Sequence, residues 1–302
     1  MIVPIERIFV VTVEKYKKIL KEQIPDLSDR NIILEPVGRG TAPCIALATM
    51  YIAQIYNDCN ITVLSSDHLI IDNEEFKNTI LLGNKFINSN MKKGILTLGI
   101  NPNRVETGYG YIKIDKKIDE LKNKVIKVEK FVEKPDFDLA LHYLETRQYL
   151  WNAGMFIFNS KYMEKEMKKQ IPSIYEIIYN LPRIDDKNFK KKLKEEYVKC
   201  EEISIDYAVM EKSNDIYVIP SNFGWDDIGT WRSIERYTQK DEDKNIIKGD
   251  NVEVIDSSDC VIYGNGKRIV VINLKDTYVI DGDDTIVICN KENIDSIKKY
   301  RK

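Results

Sequence analysis

The chain has 302 residues, about twice the usual length of one domain, so a large domain followed by a small one is expected. Charged residues make up 31% and nearly cancel to a net charge of -2, which excludes a broad basic field for nucleic acid or anionic lipid. Five scattered cysteines without a CxxC pair, and only two histidines, argue against a disulfide framework or a zinc site and make a reducing, cytoplasmic compartment the expectation.

The opening MIVPIERIFVV carries Glu6 and Arg7 where a signal peptide would need an apolar core. The longest uncharged stretch, Thr41 to Asn57, is too short and too polar for a membrane span and reads as a helix buried inside a domain. In chain order, strands are predicted at Ile8 to Thr12, Asn31 to Glu35, Ile61 to Ser65 and Gly94 to Gly99. They alternate with helices at Glu14 to Glu22, Pro43 to Asn57 and Glu74 to Asn88. Such alternation predicts an α/β domain with parallel pairing and helices on both faces, where ligands bind beyond the carboxyl ends of the strands.

After Ile100 the pattern shifts to longer, antiparallel-looking strands at Tyr109 to Ile114, Val125 to Val132 and Leu150 to Asn159. Lys161 to Gln170 and Lys187 to Tyr197 read as lysine-rich, solvated helical faces. Beyond Asp241 the helices stop, and five short apolar runs begin every eight or nine residues, from Val252 to Cys289. These predict a small meander or β-solenoid over 242–302, after a first domain over 1–240. Exposed solenoid edges would favour self-association, which leaves room for a homodimer without fixing the oligomeric state.

Several segments are too particular for packing alone. Glu106 to Lys113 reads ETGYGYIK, where Gly108 and Gly110 weaken a strand but let backbone N–H groups beside Tyr109 approach a ligand closely. Phe131 to Pro135 reads FVEKP and sets Glu133 and Lys134, an acceptor and a cation, beside it. Together they point to a phosphorylated polyol. Asp67 follows a buried-type strand, where a carboxylate can hold a divalent cation against a phosphate. In FGWDDIGTW, over Phe223 to Trp231, at most one of Asp226 and Asp227 should face a pocket while the other caps the following helix. Gly38 to Pro43, GRGTAP, opens a helix whose N–H groups suit an anion or a base edge. In LWNAGMF, Asn152 and Gly154 interrupt a strand where hydrophobes are expected, and an amide there can read a hydroxyl.

Taken in order, GRGTAP, SSDH, ETGYGYIK, FVEKP, LWNAGMF, SIDYAVMEK (Ser204 to Lys212) and FGWDDIGTW resemble the mannose-1-phosphate guanylyltransferases. The resemblance implies a Rossmann-like (GT-A-like) α/β nucleotidyltransferase domain followed by a left-handed β-helix-like domain. It implies transfer of GMP from GTP to mannose 1-phosphate with Mg²⁺ assisting, and GTP and mannose 1-phosphate as the partners. By motif match, Asp67 and Asp227 would hold Mg²⁺ and Lys134 would pair with the sugar phosphate. Glu133, Asn152 with Gly154, and Gly108 with Tyr109 would line the mannose side. Arg39 and Thr41 would lie near the nucleotide, and Asp206 would support or contact the sugar.

Gly40 stands where the family pattern GRNTAP has Asn, and SSDH replaces PSDH or PADH. The pattern also includes a Gly-rich GGxGxRLxP loop and a PKQF lysine, which these 302 residues do not contain. A coding segment for that loop is expected upstream of Met1. Two other readings follow from the same residues. One is a non-catalytic sugar-phosphate-binding homologue, and the other is a nucleotidyltransferase for another base or sugar.

Overall fold

The computed structural model describes residues 2–118, 121, 124–132 and 134–300, and it divides into two compact units. The first comprises Met1–Ser66 with Ile70–Trp225, and the second Asp67–Leu69 with Asp226–Lys302. Strands β4 (Leu69–Ile70) and β11 (Trp225–Asp226) lie where the chain passes between units.

The first unit is built on one long strand. Strand β9 (Tyr149–Asn159) pairs along one edge with β5 (Ile95–Ile100), which in turn lies parallel to β10 (Ile216–Ser221). On its other edge it changes partner: β6 (Tyr111–Lys113) pairs with Tyr149 to Trp151, and β3 (Asn60–Val63) pairs with Phe156 to Asn159. Strand β7 (Ile126–Lys127) joins β10 and β8 (Lys130–Val132) joins β6, which completes a seven-stranded sheet. β1 (Val10–Val13) and β2 (Ile32–Glu35) form a separate parallel pair.

Alternation along β9 sets the two cores. Trp151, Ala153, Met155 and Ile157 pack with α3 (Asn73–Ser89) in one cluster; Phe156 and Phe158 join α2 (Thr41–Tyr56), α5 (Ser160–Gln170), α6 (Pro172–Tyr179) and α7 (Phe189–Tyr197) in the other. Among the described residues the other α-helices of this unit are α1 (Lys17–Gln23) and α4 (Phe137–Thr146). Helix starts follow the side chains that can accept their free N–H groups: Asp72 begins α3, Asp136 α4 and Asn159 α5. Helix α2 is buried between Ala42 and Met50, as its uncharged sequence predicts, while its last turns from Tyr51 to Tyr56 are only partly covered.

The predicted continuous strand over Val125 to Val132 is instead two short strands on opposite sides of the sheet. Val128 leaves the first by donating its N–H to Ile216, and Glu129 enters the second by donating to Lys113. The lysine-rich helices are solvated on one side only, since Met163 and Met167 of α5 and Phe189, Leu193 and Tyr197 of α7 are buried.

In the second unit four of the five predicted apolar runs pair in parallel, which makes the segment a solenoid and not a meander. β12 (Ile246–Lys248), β14 (Val261–Tyr263) and β16 (Thr277–Asp281) form one face, closed by antiparallel β17 (Ile286–Asn290), and β13 (Val252–Ile255) with β15 (Ile269–Ile272) forms the other. Helix α8 (Trp231–Tyr237) belongs to this unit. Burial alone would push the Glu235 carboxyl up, but Lys291, Tyr278 and Lys240 outweigh it and hold it at about 2.

At the end of β2 the Glu35 carboxylate is buried and accepts the Tyr197 hydroxyl of α7. Burial raises its pKa above the ordinary 4.5, against the pull of Tyr197 and Cys44. The contribution of a raised carboxyl is therefore fully present below its unfolded pKa and is lost as pH rises through the folded one. Tyr197→Phe removes a donor from the charged form and should destabilise the fold by about 1–3 kcal/mol near pH 7. The loss should shrink near about pH 4, where the carboxyl is protonated, and urea titrations at both pH values check it.

Candidate active site

The polar interruptions of β9 lie where the strand changes partner. Between Trp151, which pairs with Tyr111, and Phe156, which pairs with Val63, its outer edge has no ladder partner among the described residues. On the inner edge β9 advances from Asn152 to Phe156 while β5 advances only from Gly99 back to Thr97, so β9 bulges. The Thr97 hydroxyl donates to the Met155 carbonyl at 3.1 Å and lies 3.4 Å from Asn152 Oδ1. Gly154 sits at φ +64°, with open space where a Cβ would be, and donates its N–H to Asn152 Oδ1 at 3.2 Å. Asn152 Nδ2 in turn donates to Asp206 Oδ1 at 2.7 Å. Asp206 opens a single π-helical turn, a distortion that recurs at functional sites.

The ETGYG segment meets the same strand. Gly110 accepts the Asn152 N–H at 2.9 Å, and Tyr109 is buried edge-on between Trp151, at 5.3 Å, and Trp225, at 5.1 Å. The Gly108 N–H, expected to be bare, donates to Glu106 Oε1 at 3.1 Å. Lys134 is exposed and adopts φ +36°, a strained conformation for a side-chain-bearing residue. Glu133 lies outside the described residues.

The GRGTAP loop is clamped by the segment from Val198 to Ile205. Arg39 Nη2 donates to the Val198 carbonyl at 2.7 Å, so its guanidinium is turned onto protein backbone. Ile203 donates to the Arg39 carbonyl and accepts from Ala42, while Thr41 Oγ1 accepts from Ile205 at 2.8 Å. Thr41 also begins α2, two residues before the predicted start. Gly40 has φ +77°, and a Cβ on it would lie 2.6 Å from the Ile203 carbonyl oxygen, so the local backbone admits only glycine there.

Asp67, His68, Asp226 and Asp227 all fall in the second unit. Strand β3 ends at Val63, four residues before Asp67, so this exposed carboxylate sits in a loop and not at the strand's tip. Burial lowers the His68 pKa, and the nearby Asp67, Asp227 and Asp226 carboxylates only partly restore it, which keeps the imidazole neutral near pH 7. Asp226 is buried, paired with Arg236 at 2.7 Å and bonded to the Ile228 N–H at 3.0 Å. Burial would raise its pKa, but these partners bring it below the ordinary value. The half-buried Asp227 accepts the Gly229 N–H at 3.0 Å. The two neighbours thus divide as the extended backbone requires, but neither caps α8; Thr230 does, accepting from Ser233.

Asp67 and Asp227 offer only oxygen donors. That chemistry suits a hard cation such as Mg²⁺, which takes one or two carboxylates and completes its shell with water and substrate oxygens. Among the described residues no group of three or more His, Cys, Asp or Glu side chains gathers as a metal cage.

Two family models account for nearly the whole chain: "Nucleotidyl transferase" over residues 1–244 and "MannoseP isomerase/GMP-like beta-helix domain" over 249–300. The chain belongs to the nucleotidyl transferase family. This nucleotidyl transferase is 35% identical over 297 residues to a mannose-1-phosphate guanylyltransferase of Salmonella montevideo, covering 96% of the chain and 62% of that relative. It is 36% identical over 302 residues to the alginate biosynthesis protein AlgA of Pseudomonas aeruginosa, covering 96% and 60%. The chain therefore spans about three fifths of the length of these curated relatives. Among solved structures it is similar to one from Thermus thermophilus described as a mannose-1-phosphate geranyltransferase, with a TM-score of 0.81, 27% identity and coverage of 99% and 84%. It is also similar to a mannose-6-phosphate isomerase from Helicobacter pylori, with a TM-score of 0.59, 25% identity and coverage of 73% and 84%.

Sequence reasoning passed over Arg236 and Arg104. Arg236 lies ten residues from the carboxylate it neutralises, and only the turn at Ile228 to Thr230 brings the two together. Arg104 lies two residues before Glu106, the start of the ETGYG segment, and that proximity was the available signal.

Gly40→Asn in this nucleotidyl transferase should cost about 1–3 kcal/mol of stability in urea melts, because the side chain meets the Ile203 carbonyl. Asp226→Ala should cost about 1–3 kcal/mol more than Asp227→Ala, because it removes the buried carboxylate that pairs with Arg236 and bonds the Ile228 N–H.

Proposed function

We propose that the protein is a mannose-1-phosphate guanylyltransferase, transferring GMP from GTP to mannose 1-phosphate and releasing pyrophosphate. The observation that carries this reading is the meeting of three motif segments at the partner change of β9. There the Asn152 amide is fixed by Asp206, and its backbone N–H is bonded to Gly110 of ETGYG. Identity of 35% to a relative named for this activity supports it.

A phosphate oxygen of the sugar phosphate attacks the α-phosphorus of GTP in line; one P–O bond forms as the bond to the pyrophosphate oxygen breaks. Transfers of this kind depend chiefly on positioning and charge neutralisation. Asn152, with Gly154 opening space beside it, would bind sugar hydroxyls, and Lys134 would pair with the sugar phosphate. Glu133, Gly108 and Tyr109 would complete the sugar side, with Asp206 orienting the Asn152 amide. Thr41, at the start of α2, would lie beside the nucleotide. Arg39 would shape that loop through its bond to Val198. Mg²⁺ held by Asp67 and Asp227 would neutralise charge on the phosphate oxygens.

Five free cysteines suit a reducing, cytoplasmic setting, and no helix among the described residues is long and apolar enough to cross a membrane. The assembly proposed is a homodimer.

The test is pyrophosphate release by the purified protein with GTP, mannose 1-phosphate and Mg²⁺. Wild type should turn over, and Asp67→Ala and Asp227→Ala should each lose at least about a hundredfold in kcat with unchanged melting temperature. Calorimetric binding of mannose 1-phosphate without GTP binding or turnover would instead mark a sugar-phosphate-binding homologue. Turnover with another base or sugar would reassign the substrate.

A further inference from the structure

Arg104 stands at a junction that the proposed roles leave unexplained. Its guanidinium carbon lies 4.6 Å from the centre of the Trp151 ring and 5.8 Å from that of Tyr109. The same guanidinium pairs with Glu106 Oε2 at 3.4 Å and lies 3.4 Å from the Tyr109 hydroxyl. The other carboxylate oxygen of Glu106 takes the Gly108 N–H at 3.1 Å, and the Glu106 carbonyl takes the Tyr111 hydroxyl at 2.8 Å. One side chain therefore touches both the strand that carries Asn152 and, through a single carboxylate, the backbone of the glycine loop.

Arg104 and Glu106 expose only 23% and 26% of their side chains, so the pair is more shielded than an ordinary surface ion pair. The planar guanidinium is suited to this place because it can lie over a ring while its edge donates to a carboxylate, which an ammonium cannot do. Trp151 is 1% exposed, and its indole N–H faces the Tyr111 hydroxyl, which itself donates to the Glu106 carbonyl. The ring is therefore held by packing, by that hydroxyl and by the cation over it. Trp151 immediately precedes Asn152, so a tilt of the ring would be felt at the amide one residue along.

We infer that Arg104 is a positioning residue that locks the glycine loop against the Asn152 strand and so sets affinity for the sugar phosphate. It acts through Trp151, Glu106 and the Gly108 backbone. The nucleotide-side loop is tied independently, by Val198, Ile203 and Ile205. The two substrates should therefore respond differently to its loss.

This inference rests on the proposed guanylyltransferase reading, and the test separates the two. Arg104→Lys keeps the charge and removes the planar stack; Glu106→Gln keeps an acceptor for Gly108 and removes the ion pair. For Arg104→Lys the KM for mannose 1-phosphate should rise about tenfold, the scale of one lost stacked cation, with the KM for GTP within about twofold. Glu106→Gln should move the same constant in the same direction by less. Calorimetry of mannose 1-phosphate binding should repeat the order, and thermal melts should match wild type. If wild type behaves as proposed while Arg104→Lys leaves the sugar-phosphate KM unchanged, the inference is overturned alone. The same holds if both KM values rise together with a lowered melting temperature, since that marks a merely structural residue. If wild type binds no mannose 1-phosphate, the functional reading and the inference fall together.

Discussion

The first unit depends on a constraint at β9: a strand in the middle of a sheet must satisfy its backbone groups on both edges, and this one is longer than either neighbour on its outer edge. The break between β6 and β3 leaves a stretch around Ala153 and Gly154 without a ladder there, and a bulge against β5 accompanies it. Such a defect in the centre of a packed sheet is tolerable only if polar groups close it. Thr97, Asn152 and Asp206 do so among themselves, through hydroxyl, amide and carboxylate. The chemistry that suits a sugar hydroxyl is thus also the chemistry that makes this backbone possible.

A second layer of order comes from the chain between Tyr197 and Asp206. It reaches back to Glu35, to the Arg39 carbonyl and guanidinium and the Thr41 hydroxyl of the GRGTAP loop, and to Asn152. Every one of these bonds joins residues far apart in sequence. A buried carboxylate at one end and a π-helical turn at the other are costly features, and both are kept within the span that connects the loop before α2 to the bulge of β9.

The elements with a strong local signal were legible from the sequence: buried β-branched runs, the uncharged α2, the spaced solenoid strands and the glycine-flanked aromatic of ETGYG. What local pattern could not supply was pairing. Val125 to Val132 looks continuous because its residue types are uniformly strand-like, yet Val128 and Glu129 bond to different neighbours and split it. The strand at Ile216 to Ser221 went unread, although it supplies the parallel partner of β5, because it ends in Pro220 and Ser221, residues that read as a strand's end or a turn. Site chemistry followed the same rule. Asp67, Asp227, Asn152 and Lys134 were recognisable as residue types in unusual company, whereas Arg104, Arg236 and Tyr197 matter through contacts that only the fold creates.

Asp226 and Asp227 show why the two kinds of information differ. In sequence they are indistinguishable, and the alternation of an extended backbone says only that they diverge. Once Arg236 of α8 stands beside Asp226, a full set of partners outweighs burial and fixes that carboxylate as charged and committed to structure. Asp227 is left half-buried with its geometry set by the short turn to Gly229. A cation binder needs a carboxylate that is oriented but still accessible to solvent and to a substrate's oxygens, and of the pair only Asp227 satisfies both conditions. The buried Asp226 carboxylate next to it, held by Arg236 and the Ile228 N–H, fixes the backbone from which the Asp227 side chain projects, so the first acid supplies rigidity to the second.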